Sequence, residues 1–404
     1  MCAVLGIDTD MTLIYQLFAL MFCMIVIARI SLAIHRPRVT VRRRLPRYAT
    51  AHEPFEYFVD MSNVGDKVEG DLTLVDNPLV RPPTIAQFRS RREPGEETRN
   101  AYDRWLGFYR FIWLQRLNTG ITTTSVEVPD IAIKSRARVR IEATPLRRGV
   151  VNFESLSVLH PDPLGLNFGI LEFPARDELL VLPRHYRISA NFELPGGRHF
   201  QPGGVGSTWS IGESEEFVSL RDYRDGDSMR KIHWPSTARR SKPVVKEYQD
   251  EYFVRQALVL DTSTSDDEVL EEAISVAASF VLKITGADSM LDLLYLSRKL
   301  EVVTSGRGNA SVAHQLEALA GLGRSPLPAT ELSDAILRFA SVLSGCILVL
   351  TDWDETRRRM VERLMSRGLA CEVFLITRDP EASAAPPFVH VLEVGHVEDG
   401  LAKL

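Results

Sequence analysis

The sequence predicts a chain of mixed class: an N-terminal transmembrane helix, an antiparallel β-sandwich-like domain, and a doubly wound, mostly parallel α/β domain. Three observations predict it. Residues 11–28 are almost uninterrupted apolar, MTLIYQLFALMFCMIVIA. From about Val39 to Tyr186, short and partly alternating apolar runs are separated by Gly, Pro, Asn and Asp, the pattern of a small antiparallel β-domain. From Phe253 onward, strand-like and helix-like stretches alternate, as they do in parallel sheets built from βαβ units. A chain of 404 residues is also too long for one ordinary domain of ~100–200 residues. The expected divisions are an anchor over 1–35, the β-domain over 36–190, a Gly-rich loop and charged segment over 191–252, and the α/β-domain over 253–404.

The apolar run is long enough to span a bilayer, which takes ~20 such residues. The first ten residues carry Asp8 and Asp10 but no Lys or Arg, and no small-residue cleavage site follows, so the run reads as an anchor and not as a signal peptide. Arg36, Arg38, Arg42, Arg43, Arg44 and Arg47 follow it. The positive-inside rule places that side in the cytoplasm, giving a single-pass protein of the cytoplasmic (inner) membrane with its soluble domains in the cytosol. The Arg cluster reads equally as a topology determinant or as a contact for anionic headgroups.

In the β-domain, the expected strands are 55–61, 70–75, 125–133, 136–143, 150–158 and 179–182. Residues 101–117, AYDRWLGFYRFIWLQRL, interrupt them. Trp105, Phe108, Tyr109, Ile112 and Trp113 recur near helical spacing. They predict an amphipathic insertion packed on the β-domain, with contact at the membrane surface as the sharper alternative. Residues 192–210 are rich in Gly and Pro but lack the order of a phosphate-binding P-loop. In the α/β-domain, strands are expected at 257–260, 291–296, 300–304, 346–350, 371–377 and 389–394, with helices between them.

Composition excludes some classes. A net charge of -5 carries no nucleic-acid signature. Cys2, Cys23, Cys346 and Cys371 form no CxxC pair, so they read as reduced thiols and not as a zinc site or a disulfide framework. No GxSxG elbow is present, and no Cys has an obvious His partner.

In parallel α/β sheets, ligands bind at the carboxyl ends of the strands. Two predicted strands end there in carboxylates: ALVLDTSTS, with Asp261, Ser263 and Ser265, and CILVLTDWD, with Asp352 and Asp354. Oxygen ligands of this kind suit Mg²⁺, which keeps several waters and needs only one or two carboxylates. The D-x-S-x-S order resembles the metal-ion-dependent adhesion site of von Willebrand factor type A domains. The resemblance implies that Asp261, Ser263, Ser265 and Asp352 hold Mg²⁺, whose open position takes an acidic side chain of a partner. That family also draws a Thr from a second loop, and residues 304–311 hold no Gly-Thr pair. An ion site lacking one ligand and a helix cap without an ion both stay open. A phosphohydrolase of the haloacid dehalogenase type would use Asp261 and Asp352 differently. It needs a second Asp two residues after the first, where this chain has Ser263, which does no acid–base work near neutral pH.

The segment from Gly212 to Glu251 is dense in charge. It reads Glu216-Phe217, Leu220-Arg221-Asp222-Tyr223, Gly226-Asp227, Ile232-His233-Trp234 and Ala238-Arg239, with Arg230 between. This resembles the signature of the domain of unknown function 58 family. Arg148-Gly149, the run Asp162-Pro163-Leu164-Gly165-Leu166 and Val181-Leu182-Pro183 match further landmarks of that family. The resemblance covers roughly Arg136 to the C-terminus. It implies a bacterial, membrane-anchored interaction protein, not an enzyme, that works as an adaptor with a MoxR-type AAA+ ATPase. Glu216, Arg221, Tyr223, Gly226, Asp227, Arg230, Trp234 and Arg239 read either as an internal charged clamp or as a patch that engages the partner. Arg forks suit carboxylates bidentately in either case. Many members carry two N-terminal spans; this sequence shows one.

Overall fold

The computed structural model describes residues 12–192, 215–224, 227, 229, 232–240, 242–250, 254–284, 289–304, 309–381 and 385–404. Helix α1 (Thr12–Ile34) carries a 20-residue stretch, Tyr15–Ile34, long and apolar enough to cross a membrane. Twenty-three residues at 1.5 Å each give about 35 Å, against a hydrocarbon core of ~30 Å. Four residues separate α1 from the first strand. The rest of the chain is mixed helix and strand. It forms two compact units, Met1–His185 with Leu316–Leu322, and Tyr186–Gln315 with Gly323–Leu404.

The first unit holds β1 (Val39–Arg44), β2 (Tyr48–Thr50), β3 (Phe55–Asn63) and β4 (Leu72–Pro78). After a helical lobe come β5 (Ile121–Thr123), β6 (Val126–Val128), β7 (Arg136–Pro145), β8 (Gly149–Pro161) and β9 (Phe168–Leu182). One sheet runs β1-β3-β7-β5 and the other β2-β9-β8-β4-β6. Alternation sends Tyr57, Val59 and Met61 of β3 inward from the first sheet, and Leu72, Leu74, Leu156 and Val158 inward from the second. Both sets belong to one apolar core. The 125–133 stretch shortens to β6 plus a bridge at Ile131. The 179–182 stretch is only the end of β9, whose Pro174 sits at an irregularity in the β8 ladder, one of the few places a sheet tolerates proline.

The Arg cluster is not a uniform basic flank. Because it is a strand, alternate residues face opposite ways, and Arg43 turns into the core. Its Nε and Nη2 donate to the two oxygens of Asp76 at 2.8 and 2.7 Å, and Nη1 donates to Asp177 at 2.7 Å. Tyr57 donates its hydroxyl to Asp76 at 2.5 Å, and the Arg43 guanidinium lies 4.6 Å from the Phe153 ring centre. The side chains of Arg43 and Asp76 have no solvent exposure, so Arg43 is unavailable to a headgroup. A buried pair of this kind is costly to break and cheap to replace whole. Asp76→Ala is expected to lose about 3–5 kcal/mol in denaturant unfolding, while Arg43→Met with Asp76→Leu recovers most of that loss.

The lobe between β4 and β5 consists of α2 (Ile85–Ser90), α3 (Ala101–Leu106) and α4 (Phe108–Thr119). Gly107 divides α3 from α4 at φ 66°, where a Cβ would also meet the Phe88 ring at 2.6 Å. The lobe closes on itself through buried Arg110, whose Nε donates to Glu96 at 2.8 Å, and on Leu114. Of the stripe expected to pack on the β-domain, Trp105 is 81% exposed and Phe108 and Tyr109 are exposed, while Ile112 and Trp113 are half-buried. The lobe leaves β4 at Pro78 and re-enters at Ile121 opposite Pro145, the far end of β7 from the end that neighbours Val39. Ten residues of β7 separate those ends by about 33 Å.

The second unit begins with an antiparallel pair, β10 (Glu215–Asp222) and β11 (Val244–Asp250), with the short helix α5 (Trp234–Arg240) between them. Then follow β12 (Val254–Leu260), α6 (Asp267–Ile284), β13 (Ser289–Leu296), β14 (Leu300–Thr304), α7 (Asn309–Gly321), whose residues from Leu316 on count with the first unit, and α8 (Ala329–Phe339). The chain ends with β15 (Gly345–Leu350), α9 (Glu355–Ser366), β16 (Ala370–Thr377), β17 (Val389–Glu393) and α10 (Val397–Ala402). The six-stranded sheet is ordered β14-β13-β12-β15-β16-β17, with only the β13–β14 pair antiparallel. Every residue of β15 is buried, as expected of a central strand covered on both faces. Cys346 and Cys371 stand opposite each other in register on β15 and β16 as free thiols. Burial raises both, Cys371 to about 11, which keeps them protonated at neutral pH.

Candidate functional site

The order of the six-stranded sheet reverses direction between β12 and β15. Such a switch point opens a crevice at the carboxyl ends of the strands, where α/β proteins place ligands. Asp261 stands there, one residue past β12, and Thr351 and Asp352 stand beside it, just past β15. Asp354 caps α9 by accepting the Arg357 backbone N–H at 2.9 Å.

Asp261 is fully committed. One carboxylate oxygen accepts from the Ser263 backbone at 3.0 Å and from its hydroxyl at 2.6 Å. The other accepts from the Thr351 hydroxyl at 2.8 Å, the Thr351 backbone at 3.3 Å and Arg357 Nε at 2.7 Å. Arg357 spends its remaining nitrogens on Ser263 Oγ at 2.9 Å and on Asp354 at 2.8 Å. The two side chains are 1% and 6% exposed. Burial pushes the Asp261 carboxyl up, but the Arg357 charge and the hydrogen bonds outweigh it, leaving the group below its ordinary value.

The loop after β12 is pinned from outside. Arg324 donates to the Ser265 carbonyl at 2.6 Å and to Asp267 at 2.8 Å. Arg378 grips Asp266 at 2.5 and 3.1 Å and holds its carboxyl down to about 2. Ser265 is exposed. The Asp352 side chain is 68% exposed, 3.9 Å from Arg357, and accepts the Trp353 backbone N–H at 2.7 Å.

The four residues expected to hold Mg²⁺ are brought to one sheet edge, with Asp261 buried and Ser265 and Asp352 exposed. Among the described residues no three His, Cys, Asp or Glu side chains converge as a ligand group. Mg²⁺ demands near-octahedral oxygens at 2.0–2.1 Å, and here a guanidinium takes the place beside Asp261. A dication within 4 Å of that charge would meet about 8 kcal/mol of repulsion at an effective dielectric of 20. The donor set does not fit the ion while Arg357 keeps its position. Of the loop expected to bring a Thr, 304–311, the middle, 305–308, lies outside the described residues. Sequence reasoning missed Thr351 and Arg357. The readable signal was an arginine three residues after Asp354, in the first turn of α9, where the helix dipole disfavours a cation and only nearby carboxylates make it tolerable.

In the charged segment, Arg221 grips Asp227 with two hydrogen bonds of 2.7 Å, and Asp227 also accepts the Arg224 backbone N–H at 2.9 Å. These bonds hold the Asp227 carboxyl at about 2. The Tyr223 backbone donates to the Pro243 carbonyl at 3.0 Å, and Ile232 bridges to Val245. Arg221, Tyr223, Asp227 and Ile232 thus tie the described part of the connection between β10 and β11 back onto the hairpin. Glu216 lies in that ladder opposite Gln249; its side chain, Gly226 and Arg230 lie outside the described residues. Trp234 opens α5 and is 64% exposed, and Arg239 is exposed in its last turn. His233 accepts or donates locally to Ser236 at 2.7 Å.

A family described as "Protein of unknown function DUF58" matches residues 219–387, which include this connection and the Asp261–Arg357 edge. The "Uncharacterized protein YeaD" of Bacillus subtilis (strain 168) is 28% identical over 201 residues, 49% of this chain and 48% of that protein. The chain thus spans about half the length of the curated relative it matches. Among solved structures, a CARDB domain from Pyrococcus furiosus aligns over 36% of this chain and 89% of that one, at 12% identity and TM-score 0.19. Escherichia coli alpha-2-macroglobulin aligns over 45% of this chain and 9% of that one, at 13% identity and TM-score 0.20. Likenesses this slight carry no argument.

Because the folded carboxyl of Asp261 lies below its ordinary value, its stabilisation is complete above about pH 4 and is lost as pH falls through the folded value. Thermal unfolding between pH 2 and 6 is expected to show a steeper acid limb in the natural protein than in Asp261→Asn. Removing the cation alone, in Arg357→Ala, is expected to cost about 3–5 kcal/mol, since it strands a buried carboxylate.

Proposed function

We propose that this chain is a membrane-anchored, cytoplasm-facing interaction protein, an adaptor that works with a MoxR-type AAA+ ATPase. The carrying observation is the saturation of Asp261 by five donors, Arg357 among them. A strand-end carboxylate used as a nucleophile must reach a substrate and have an acid nearby. This one is buried, paired with a cation and followed by Ser263. That disfavours a membrane-bound phosphohydrolase using Asp261 and Asp352. The sheet order, its single antiparallel edge and the Asp-x-Ser-x-Ser turn support a von Willebrand factor A-like, doubly wound reading of the second unit, with the metal position taken by an arginine. The partner surface is then the connection between β10 and β11, where Trp234 and Arg239 are exposed and Arg221 and Asp227 are paired. Trp and Arg are among the residue types that dominate binding energy at interfaces.

The test is capture of a purified MoxR-type ATPase by the full chain in detergent, with and without ATP. Trp234→Ala and Arg239→Ala are each expected to weaken capture at least tenfold while leaving the melting temperature unchanged. Unaltered capture in both variants contradicts the assigned surface. Turnover of a generic phosphoester by the full chain, abolished in Asp261→Asn, contradicts the adaptor reading itself.

A further inference from the structure

Three loop tips meet at the end of the β sandwich where the chain leaves α1. Val39, the first residue of β1, pairs with Asn63 at the end of β3, and Ser62 pairs with Arg136 at the start of β7. In the other sheet, Leu72 at the start of β4 pairs with Val128, and Thr73 pairs with Leu159. The β8–β9 hairpin turns just beyond, between Pro161 and Phe168. This end therefore collects loops 64–71, 129–135 and 162–167. The loops are tied together: buried Asn63 donates to the Lys67 carbonyl at 2.7 Å and to the Ile131 carbonyl at 3.0 Å, and Glu69 bridges Ile131.

Each tip shows apolar side chains to solvent. Val64, Val68, Ile133, Leu164, Leu166 and Phe168 are 47–60% exposed. The third tip is built to do so. Asp162 is 4% exposed, and its carboxylate accepts the backbone N–H of Leu164 at 2.7 Å and that of Asn167. Gly165 sits at φ 65° and donates to the Asp162 carbonyl at 3.0 Å. A buried carboxylate thus fixes a turn whose outward residues are two leucines, the reverse of what water alone favours at a loop tip. Both signs of charge interleave with them: basic Arg36, Arg38, Lys67 and Lys134, and acidic Asp66, Glu69, Asp71 and Asp130. The aliphatic stems of the basic residues can lie along lipid while their charges reach the headgroups.

The end of α1 is close by. Residues 35–38 span at most about 14 Å, and Arg36 and Glu69 both act electrostatically on the His160 ring at the base of the third tip. A bilayer crossed by α1 is therefore the surface these tips meet. We propose that the three tips form a membrane-docking face that seats its apolar side chains among the headgroups of the bilayer that α1 crosses, standing the sandwich upright with the helical lobe at the distal end. This rests on the reading of α1 as the anchor.

The test places a benzoylphenylalanine photo-crosslinker at one position at a time in the full chain, reconstituted in nanodiscs of phosphatidylcholine and phosphatidylglycerol. The positions are Leu166, Ile133, Met21 in α1 and Trp105 in the distal lobe. Lipid adducts are expected at Met21, Leu166 and Ile133, at least fivefold above the yield at Trp105. Lipid adducts at Met21 with none at Leu166 and Ile133 overturn the docking face and leave the anchor standing. Loss of adducts at Met21 as well overturns the anchor first. Crosslinks from Leu166 to a second copy of the chain also overturn the proposal, since the face would then be an interface between copies.

Discussion

The ion pair between Asp261 and Arg357 governs the carboxyl edge of the six-stranded sheet. It joins the turn after β12 to the first turn of α9 across the point where the strand order reverses. Both charges lie out of water, so each is tolerable only because the other is present. The cation sits where the α9 dipole repels it, and Asp354 and Asp261 supply the compensation. This arrangement decides the chemistry of the edge. A carboxylate that accepts five hydrogen bonds has no lone pair left for a metal or a substrate.

The same device recurs. Arg43 with Asp76 lies between the sheets of the sandwich, and Arg110 with Glu96 closes the helical lobe. Arg43 and Arg110 each meet one carboxylate through two hydrogen bonds, while Arg357 divides its nitrogens between Asp261, Ser263 and Asp354, the planar geometry in which Arg outperforms Lys. Buried pairs contribute little net stability over apolar packing, but they tolerate few alternative arrangements. They give three separate places in the chain a single way to assemble.

The strand–helix alternation after residue 253 was legible because buried parallel strands read as short continuous apolar runs, as GCILVL does. The apolar helix at the N-terminus was legible from composition. What sequence could not show was partnership. VTVRRR looks like a basic flank, since nothing in it announces that Arg43 will meet Asp76, thirty-three positions away. The strand ends at 261 and 352 were located, and the Asp-x-Ser-x-Ser order suggested an ion. The decisive residue, Arg357, comes from a helix whose first turn is read as solvent-facing charge. The hairpin of β10 and β11 was hidden for a related reason: its strands, EEFVSLRD and VVKEYQD, are too charged to alternate cleanly.

The claim at the centre of this account is that the strand-end site carries its own cation. Thermal unfolding of the detergent-solubilised full chain with Mg²⁺, with Mn²⁺ and with chelator tests it most directly, because an ion bound only to the folded state must raise stability by mass action. The account predicts melting temperatures that agree within error in all three conditions. A rise with millimolar Mg²⁺ or Mn²⁺ that disappears in Asp261→Ala would contradict it and restore the ion to the site.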